Sequence, residues 1–374
     1  MKAGWSTKRL DAVGTLQRGF DLPAPQRTPG PYALVTSSGP TDTHTEAKVR
    51  GPGVATGRSG SIGNVFFVEG DFWPLNTALY VKDFHGNEPR FVYYLLQLIG
   101  LERFATGAGV PTLNRNDVHG ELVAVPDSRD EQRRIVAILD EAFEGLDRAR
   151  ANAEANLASA RELFEVRRAE IFSRDAEGED VALGEVCTNF EYGTAAKSKP
   201  TGAIPVLRMG NLQDGEIDWS DLVYSDDEAD CSRYLLRAGD VLFNRTNSPA
   251  HVGKTSIFDG TRRAIFAGYL IRVTPDKKKL RPEFLNHFLN SDIAREYGHS
   301  VMGTSVNQAN ISAGRLRGYR MRLPSLARQS ELVDELDELK RAIKPLQATF
   351  RAKIRDVADL RQSLLQKAFA GELT

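Results

Sequence analysis

The chain has 374 residues, 41% of them apolar, and a formal net charge of −1 from 49 basic and 50 acidic side chains. That length supports two or three domains with real cores, and no apolar run approaches the roughly 18–20 residues of a membrane span. The opening residues, Met1-Lys2-Ala3-Gly4-Trp5-Ser6, hold no apolar leader core. Cys187 and Cys231 form neither a disulfide framework nor a metal spacing, so a cytoplasmic protein with inert thiols is expected.

Residues 1–129 are rich in Gly and Pro and carry short apolar runs. Phe66-Phe67-Val68 and Ala78-Leu79-Tyr80-Val81 are predicted strands. The segment 22–31 holds four prolines and is expected as loop. Residues 90–104 have helical spacing, with Phe91, Leu95, Leu98 and Leu101 on one side. From residue 130 the spacing becomes a heptad seam of Ile135, Leu139, Ala142, Leu146, Ala149 and Ala153 running on toward Leu163. This predicts a helix of some 40 residues, about 60 Å long, over 130–175, with a polar hinge at 175–180. A second module, 181–326, has predicted strands at 204–208, 241–244, 264–266 and 270–273. A helix is predicted over 282–297, with Pro282 at its first turn. A second long helix, 328–371, has Leu332, Leu336, Leu339, Ile343, Leu346 and Phe350 as its seam. Pro345 is expected to kink or restart it.

The second half repeats the first. Leu10-Asp11-Ala12-Val13 answers Leu183-Gly184-Glu185-Val186. The run from Gly53 to Arg58 answers that from Gly239 to Arg245 with one residue of slippage. Ile62-Gly63-Asn64 answers Val252-Gly253-Lys254, and Pro89-Arg90-Phe91 answers Pro282-Glu283-Phe284. Gly120 and Pro126 answer Gly318 and Pro324. Two seams of equal length are expected to bury each other as an antiparallel pair, because a module of this size cannot cover 60 Å of seam. Head-to-tail order then places the modules at opposite ends of a rod, about a pseudo-twofold axis. Charge is also patterned: 214–230 holds eight acids and no base, while the rest of 181–325 holds 19 basic against 8 acidic residues. A basic face with an acidic back is one reading, an ordinary surface with an acidic loop the other.

A search for catalytic chemistry returns little. Val252-Gly253-Lys254-Thr255 ends like a phosphate-binding P-loop, but Ser248 and Pro249 stand where the first glycine and its turn are needed. Asp42 with Glu46-Ala47-Lys48 is too short a match to a nuclease carboxylate set. There is no Gly-x-Gly-x-x-Gly, and the six histidines have no metal or triad spacing. What remains are polar loops suited to base edges and phosphates. In the second module these are Asn244-Arg245-Thr246-Asn247-Ser248 with Lys254, and the amide loop containing Asn307 and Gln308. In the first they are Arg58, Ser59, Ser61 and Asn64, with 112–116 a loose match to the amide loop. Arg320 and Arg322 share one strand face.

In order and in duplicate, these residues resemble the specificity subunit of a type I restriction–modification system. The resemblance rests on Leu-Arg-Met-Gly-Asn-Leu (207–212), Gly-Asp-Val-Leu-Phe-Asn-Arg-Thr (239–246), Val-Gly-Lys (252–254) and Met-Gly-Thr-Ser-Val-Asn-Gln-Ala-Asn-Ile (302–311). Gln329, the terminal Ala-Phe-Ala-Gly-Glu-Leu (368–373) and Glu-Gln-Arg-Arg-Ile-Val (131–136) complete it. It implies an α+β fold with two tandem mixed α/β target-recognition domains, joined by two long antiparallel coiled-coil helices with pseudo-twofold symmetry. It adds Arg208 and Asn211 to the DNA-binding candidates. It also implies that each domain reads part of a split site on double-stranded DNA, and that the helices dock two methyltransferase subunits. Those partners would hold S-adenosylmethionine and methylate adenine, and motor-nuclease subunits would then join. This chain itself would carry no cofactor, metal or catalytic residue. The first module departs from the pattern, since Gly57-Arg58 replaces the Asn-Arg pair. The competing expectation is a duplicated coiled-coil scaffold that binds protein partners without DNA.

Overall fold

The structure is a computed structural model that describes residues 2–107, 109–248, 252–305 and 308–373, with 304, 305 and 308 described through the backbone. The chain divides into two compact units: Met1–Ala155 with Phe350–Thr374, and Asn156–Thr349. Each unit therefore contains part of each long helix, Arg129–Ile171 and Leu326–Phe369.

In the first unit a four-stranded antiparallel sheet has the order Thr15–Arg18, Ala78–Asp83, Gly53–Gly57, Val65–Val68. Beside it lies a three-stranded sheet whose middle strand, Tyr32–Thr36, runs antiparallel to Gly39–His44 and parallel to Phe72–Pro74. Trp5–Arg9 pairs with Leu122–Pro126 and closes the module. The second unit repeats this topology. Its four-stranded sheet runs Cys187–Tyr192, Leu270–Pro275, Val241–Asn244, Thr255–Ile257. Ile204–Leu207 lies antiparallel to Val223–Ser225 and parallel to Ile265–Phe266, and Glu179–Ala182 closes against Arg320–Leu323.

The predicted helix at 90–104 is Pro89–Ile99, stopped by Gly100 in the left-handed region (φ +68°) and followed by the short turn Leu101–Phe104. The one at 282–297 is two helices, Pro282–Leu289 and Asp292–Val301. It breaks because the Ser291 side chain caps the second, accepting from Ala294 N. The second long helix continues through Pro345, so it does not restart there. The Thr349 hydroxyl donates to the Pro345 carbonyl (2.9 Å).

The long helices bury their outer turns in the modules themselves. Ile135, Leu139 and Phe143 share a core with Phe91, Leu95, Leu365, Ala368 and Phe369. Leu332 and Leu336 share another with Phe172, Phe284 and Phe288. Within each unit the two helix halves also run side by side in opposite directions. Arg361 stacks on Phe143 (4.0 Å) and pairs with Asp147 (3.1 Å) in the first. Arg167 forks onto Glu335 (2.6 and 2.9 Å) in the second. Leu146, Leu339 and Phe350 are half-buried and Ile343 is buried, but Leu346 is 51% exposed. The heptad reading is therefore corrected at Leu346, and Leu163 (56% exposed) shares its fate. The seam is used where it meets a module and is open to solvent at these inner positions.

Two buried glutamines pin the modules to the helix starts. Gln132 accepts from Glu88 N (2.8 Å) and donates to Asn87 Oδ1 and the Pro126 carbonyl. Gln329 accepts from Arg281 N (2.9 Å) and donates to the Lys279 and Pro324 carbonyls.

Candidate nucleic-acid interface

Matching backbone hydrogen bonds identify equivalent residues in the two units. Arg58 N donates to Thr77 O and Arg245 N to Tyr269 O. Leu113 N donates to Arg58 O and Ile311 N to Arg245 O. Leu75 N donates to Val35 O and Ala267 N to Leu207 O. Both arginines thus leave the central strand at the same point of one shared frame. Asn64 and Lys254 also correspond, each ending a loop that turns at a left-handed glycine, Gly63 (φ +103°) or Gly253 (φ +94°).

The loops around these arginines hold most of the candidates. Arg58 donates from Nε to the Asn76 carbonyl (2.8 Å), while its terminal nitrogens meet no partner among the described residues. Ser59 bridges to Thr112, the Ser61 hydroxyl meets that of Ser38 (3.2 Å), and Ser61 and Asn64 are exposed. In the second unit Thr246–Asn247 pairs with Gln308–Asn310, and the Asn310 amide donates to the Thr246 hydroxyl (3.2 Å). Asn247 accepts from Ser248 N (2.8 Å). Lys254 is half-buried and makes no ion pair among the described residues. The Gln308 backbone lies in this strand, while Asn307 and His251 lie outside the described residues.

Arg245 differs from Arg58. It donates to the Gly268 carbonyl and to Asn310 Oδ1 (both 3.3 Å), and it stacks 4.7 Å over the Tyr192 ring. Its fork is spent inside the protein. Two other candidates are corrected outright. Asn211 is 2% exposed, accepts from Arg208 N, and donates to the Asp218 and Asp221 carbonyls (2.9 Å each), so it clamps a loop. Asn244 is 1% exposed and cannot offer its amide to a base edge. The missing amide in the first module has a steric cause: a Cβ at Gly57 would lie 1.7 Å from the Ser61 carbonyl oxygen. Arg208 remains half-exposed but holds Asp221 (2.8 Å).

The acidic run 214–230 is not a segregated back. Glu216 pairs with Lys340 (2.6 Å) and Asp226 with Lys199 (3.0 Å), and these ammonium partners hold both carboxyls below the usual range. Arg320 and Arg322 are likewise engaged, with Asp180 and with the carbonyls of Arg174 and Gly178. Sequence reasoning missed Tyr192 and Tyr269, both exposed beside Arg245. An aromatic following a glycine in a strand-to-strand turn (268–269) was the available signal. Burial pushes the Cys187 thiol up to about 12, which keeps it protonated and inert. Among the described residues no helix is long and apolar enough to cross a membrane.

Comparison with known proteins places this duplicated frame. The family model for the type I restriction modification DNA specificity domain matches residues 2–155 and again 176–354. The chain belongs to that family. Among curated members, it is 28% identical over 194 residues to the type I restriction enzyme EcoKI specificity subunit of Escherichia coli, covering 50% of this chain and 42% of that protein. The StySPI specificity subunit of Salmonella potsdam gives 28% over 196 residues, 51% and 42%. The matching stretch thus spans about two-fifths of these relatives. Two solved structures share the fold. A chain from a type I R-M system studied for complex assembly and conformational transition aligns at TM-score 0.76, 19% identity and 99% coverage of both chains. The HsdS subunit from Thermoanaerobacter tengcongensis aligns at 0.51, with 20% identity over 99% of this chain and 97% of that one.

Proposed function

We propose that the chain is the DNA-reading subunit of a type I restriction–modification assembly. Each unit reads one half of a split duplex site through the loops around Arg58 and Arg245. The long helices dock two methyltransferase subunits, which bring S-adenosylmethionine and methylate adenine, and motor-nuclease subunits join that complex. On this reading the chain contributes no cofactor and no catalytic residue, and it works in the cytoplasm. The observation that carries the reading is one backbone frame built twice, ending in Arg, Ser and Asn in the first copy and in Arg, Thr, Asn, Ser and Lys in the second. Such side chains suit base edges and phosphate oxygens, and the family is described by DNA specificity. The near-neutral charge fits a subunit whose partners supply part of the cationic surface.

The test is duplex retention by the chain purified with its methyltransferase partner, followed against salt. Binding that weakens steeply as salt rises is expected, because phosphate contacts release counterions. Absence of retention at low salt would leave the protein-binding scaffold as the better reading.

A further inference from the structure

The shared frame separates residues that build the reader from residues that differ between its two copies. In both units the arginine after the central strand donates to the carbonyl of the same turn, Asn76 in one and Gly268 in the other. The turn is pinned again by Ala78 N to Leu75 O and by Leu270 N to Ala267 O, each 2.8–2.9 Å. The backbone is common, but the side chains on it are not. The first unit has Asn76 and Thr77, which with Asp21, Thr36 and Ser37 line an open cleft of about 490 Å³. The Asp21 carboxylate accepts from the Asn76 amide and pairs with Arg18 (3.4 Å), and its side chain is 71% exposed. The second unit has Gly268 and Tyr269 at these places, and the Tyr269 ring stands 55% exposed.

We propose that this turn, 75–77 in the first unit and 267–269 in the second, is the base-reading edge of each module, with Asp21 and Tyr269 setting two different half-sites. The inference rests on the DNA-reading function proposed above. Asp21 presents a carboxylate acceptor, oriented through Oδ1 by Asn76 and Arg18, whose exposed Oδ2 suits the exocyclic amine of cytosine or adenine. Tyr269 presents an aromatic face and a hydroxyl, which suit a thymine methyl or the edge of a base pair. An exposed tyrosine on a backbone held from both sides costs little entropy to place against DNA. Arg245, with its fork occupied, is a positioning residue for that turn.

The experiment maps methylated adenines across the genome of cells that naturally carry this chain, with the wild-type gene, its deletion, Asp21→Ala, Tyr269→Ala and Tyr269→Phe. Deletion is expected to abolish one split motif. Tyr269→Ala should relax one half of that motif by about tenfold or more at a single position, leaving the other half and the spacing intact. Asp21→Ala should do the same in the opposite half, and Tyr269→Phe should fall between wild type and Ala. An unchanged motif with either Ala variant overturns the inference while leaving the DNA-reading function standing. So does loss of all methylation by a variant that remains folded. A deletion that removes no motif overturns both.

Discussion

Gln132 and Gln329 satisfy buried and part-buried backbone groups that, among the described residues, no other side chain reaches, and each is at most 2% exposed. Replacing Gln132 with Ala strands the Glu88 N–H and the Pro126 carbonyl, at about 1–3 kcal/mol for each buried group. Amide exchange at Glu88 is expected to quicken about tenfold or more, with Arg281 responding only to Gln329→Ala. Gln132→Glu tests the mechanism: a carboxylate still accepts but no longer donates, so most of the loss should remain. His119 makes a pH-dependent contribution of the same kind. Its Nε2 accepts from Leu16 N (2.9 Å), which needs the neutral ring, and burial holds its pKa below the ordinary histidine value, with Asp11 opposing and Arg9 and Arg115 assisting. Above about pH 6.5 the ring is neutral folded or unfolded. As pH falls below that, the unfolded chain takes the proton first and stability is lost. The protection factor of the Leu16 amide, its exchange normalised to the intrinsic rate at each pH, should therefore fall from pH 7 to pH 5.5, and His119→Ala should remove the slope while lowering the plateau. Such roles are hard to read from sequence. Asn211 and Asn244 have the composition of surface loops, yet both are buried, and Asn211 is so because carbonyls in an irregular segment need donors as much as a ligand does.

At the scale of elements, sequence periodicity exposed the longer helices and several buried strands, though not the fully buried Gly53–Gly57. It missed Trp5–Arg9 and Leu122–Pro126, whose pairing joins residues more than a hundred positions apart and whose alternation is too weak to stand alone. The heptad seam and its antiparallel partner were legible, but not the share of the seam that the modules cover. A stripe that packs on another helix and one that packs on a globular module have the same spacing. The two phenylalanines at the helix ends make the distinction concrete. Phe172 lies 4.9 Å from Phe284, and Phe369 lies 4.9 Å from Phe91. Phe369→Ala is expected to destabilise the first unit by about 3–5 kcal/mol and to leave the second unchanged. Limited proteolysis should then cut first within residues 1–155. Cuts confined to 156–349 would show that Phe369 is not seated on that core.

For the whole molecule, the repeat was the most legible feature, and the matching turns at 76 and 268 extend it to single carbonyls. What the repeat did not disclose is which polar loops face inward, since that depends on neighbours brought together from far along the chain. If the long helices set the interval between half-sites, one heptad added to each lengthens them by about 10 Å, or about three base pairs at ~3.4 Å per step. Methylation at the original spacing should disappear, and a site with the longer spacer should replace it. Methylation that persists at the original spacing would end the ruler idea.

The second unit is one unbroken stretch of chain, whereas the first is finished by residues from 350 onward. On the ribosome, Phe91 and Leu95 must therefore wait for residue 369 to emerge. At about 5–20 residues per second that delay is on the order of fifteen to fifty-five seconds. Throughout it the first unit keeps apolar surface unsealed, and the second unit is complete before the first one closes. Nascent chains of this design would lean on chaperones in the first unit rather than the second, and a chain stopped shortly after residue 349 would carry a well-made second unit tethered to an open first one.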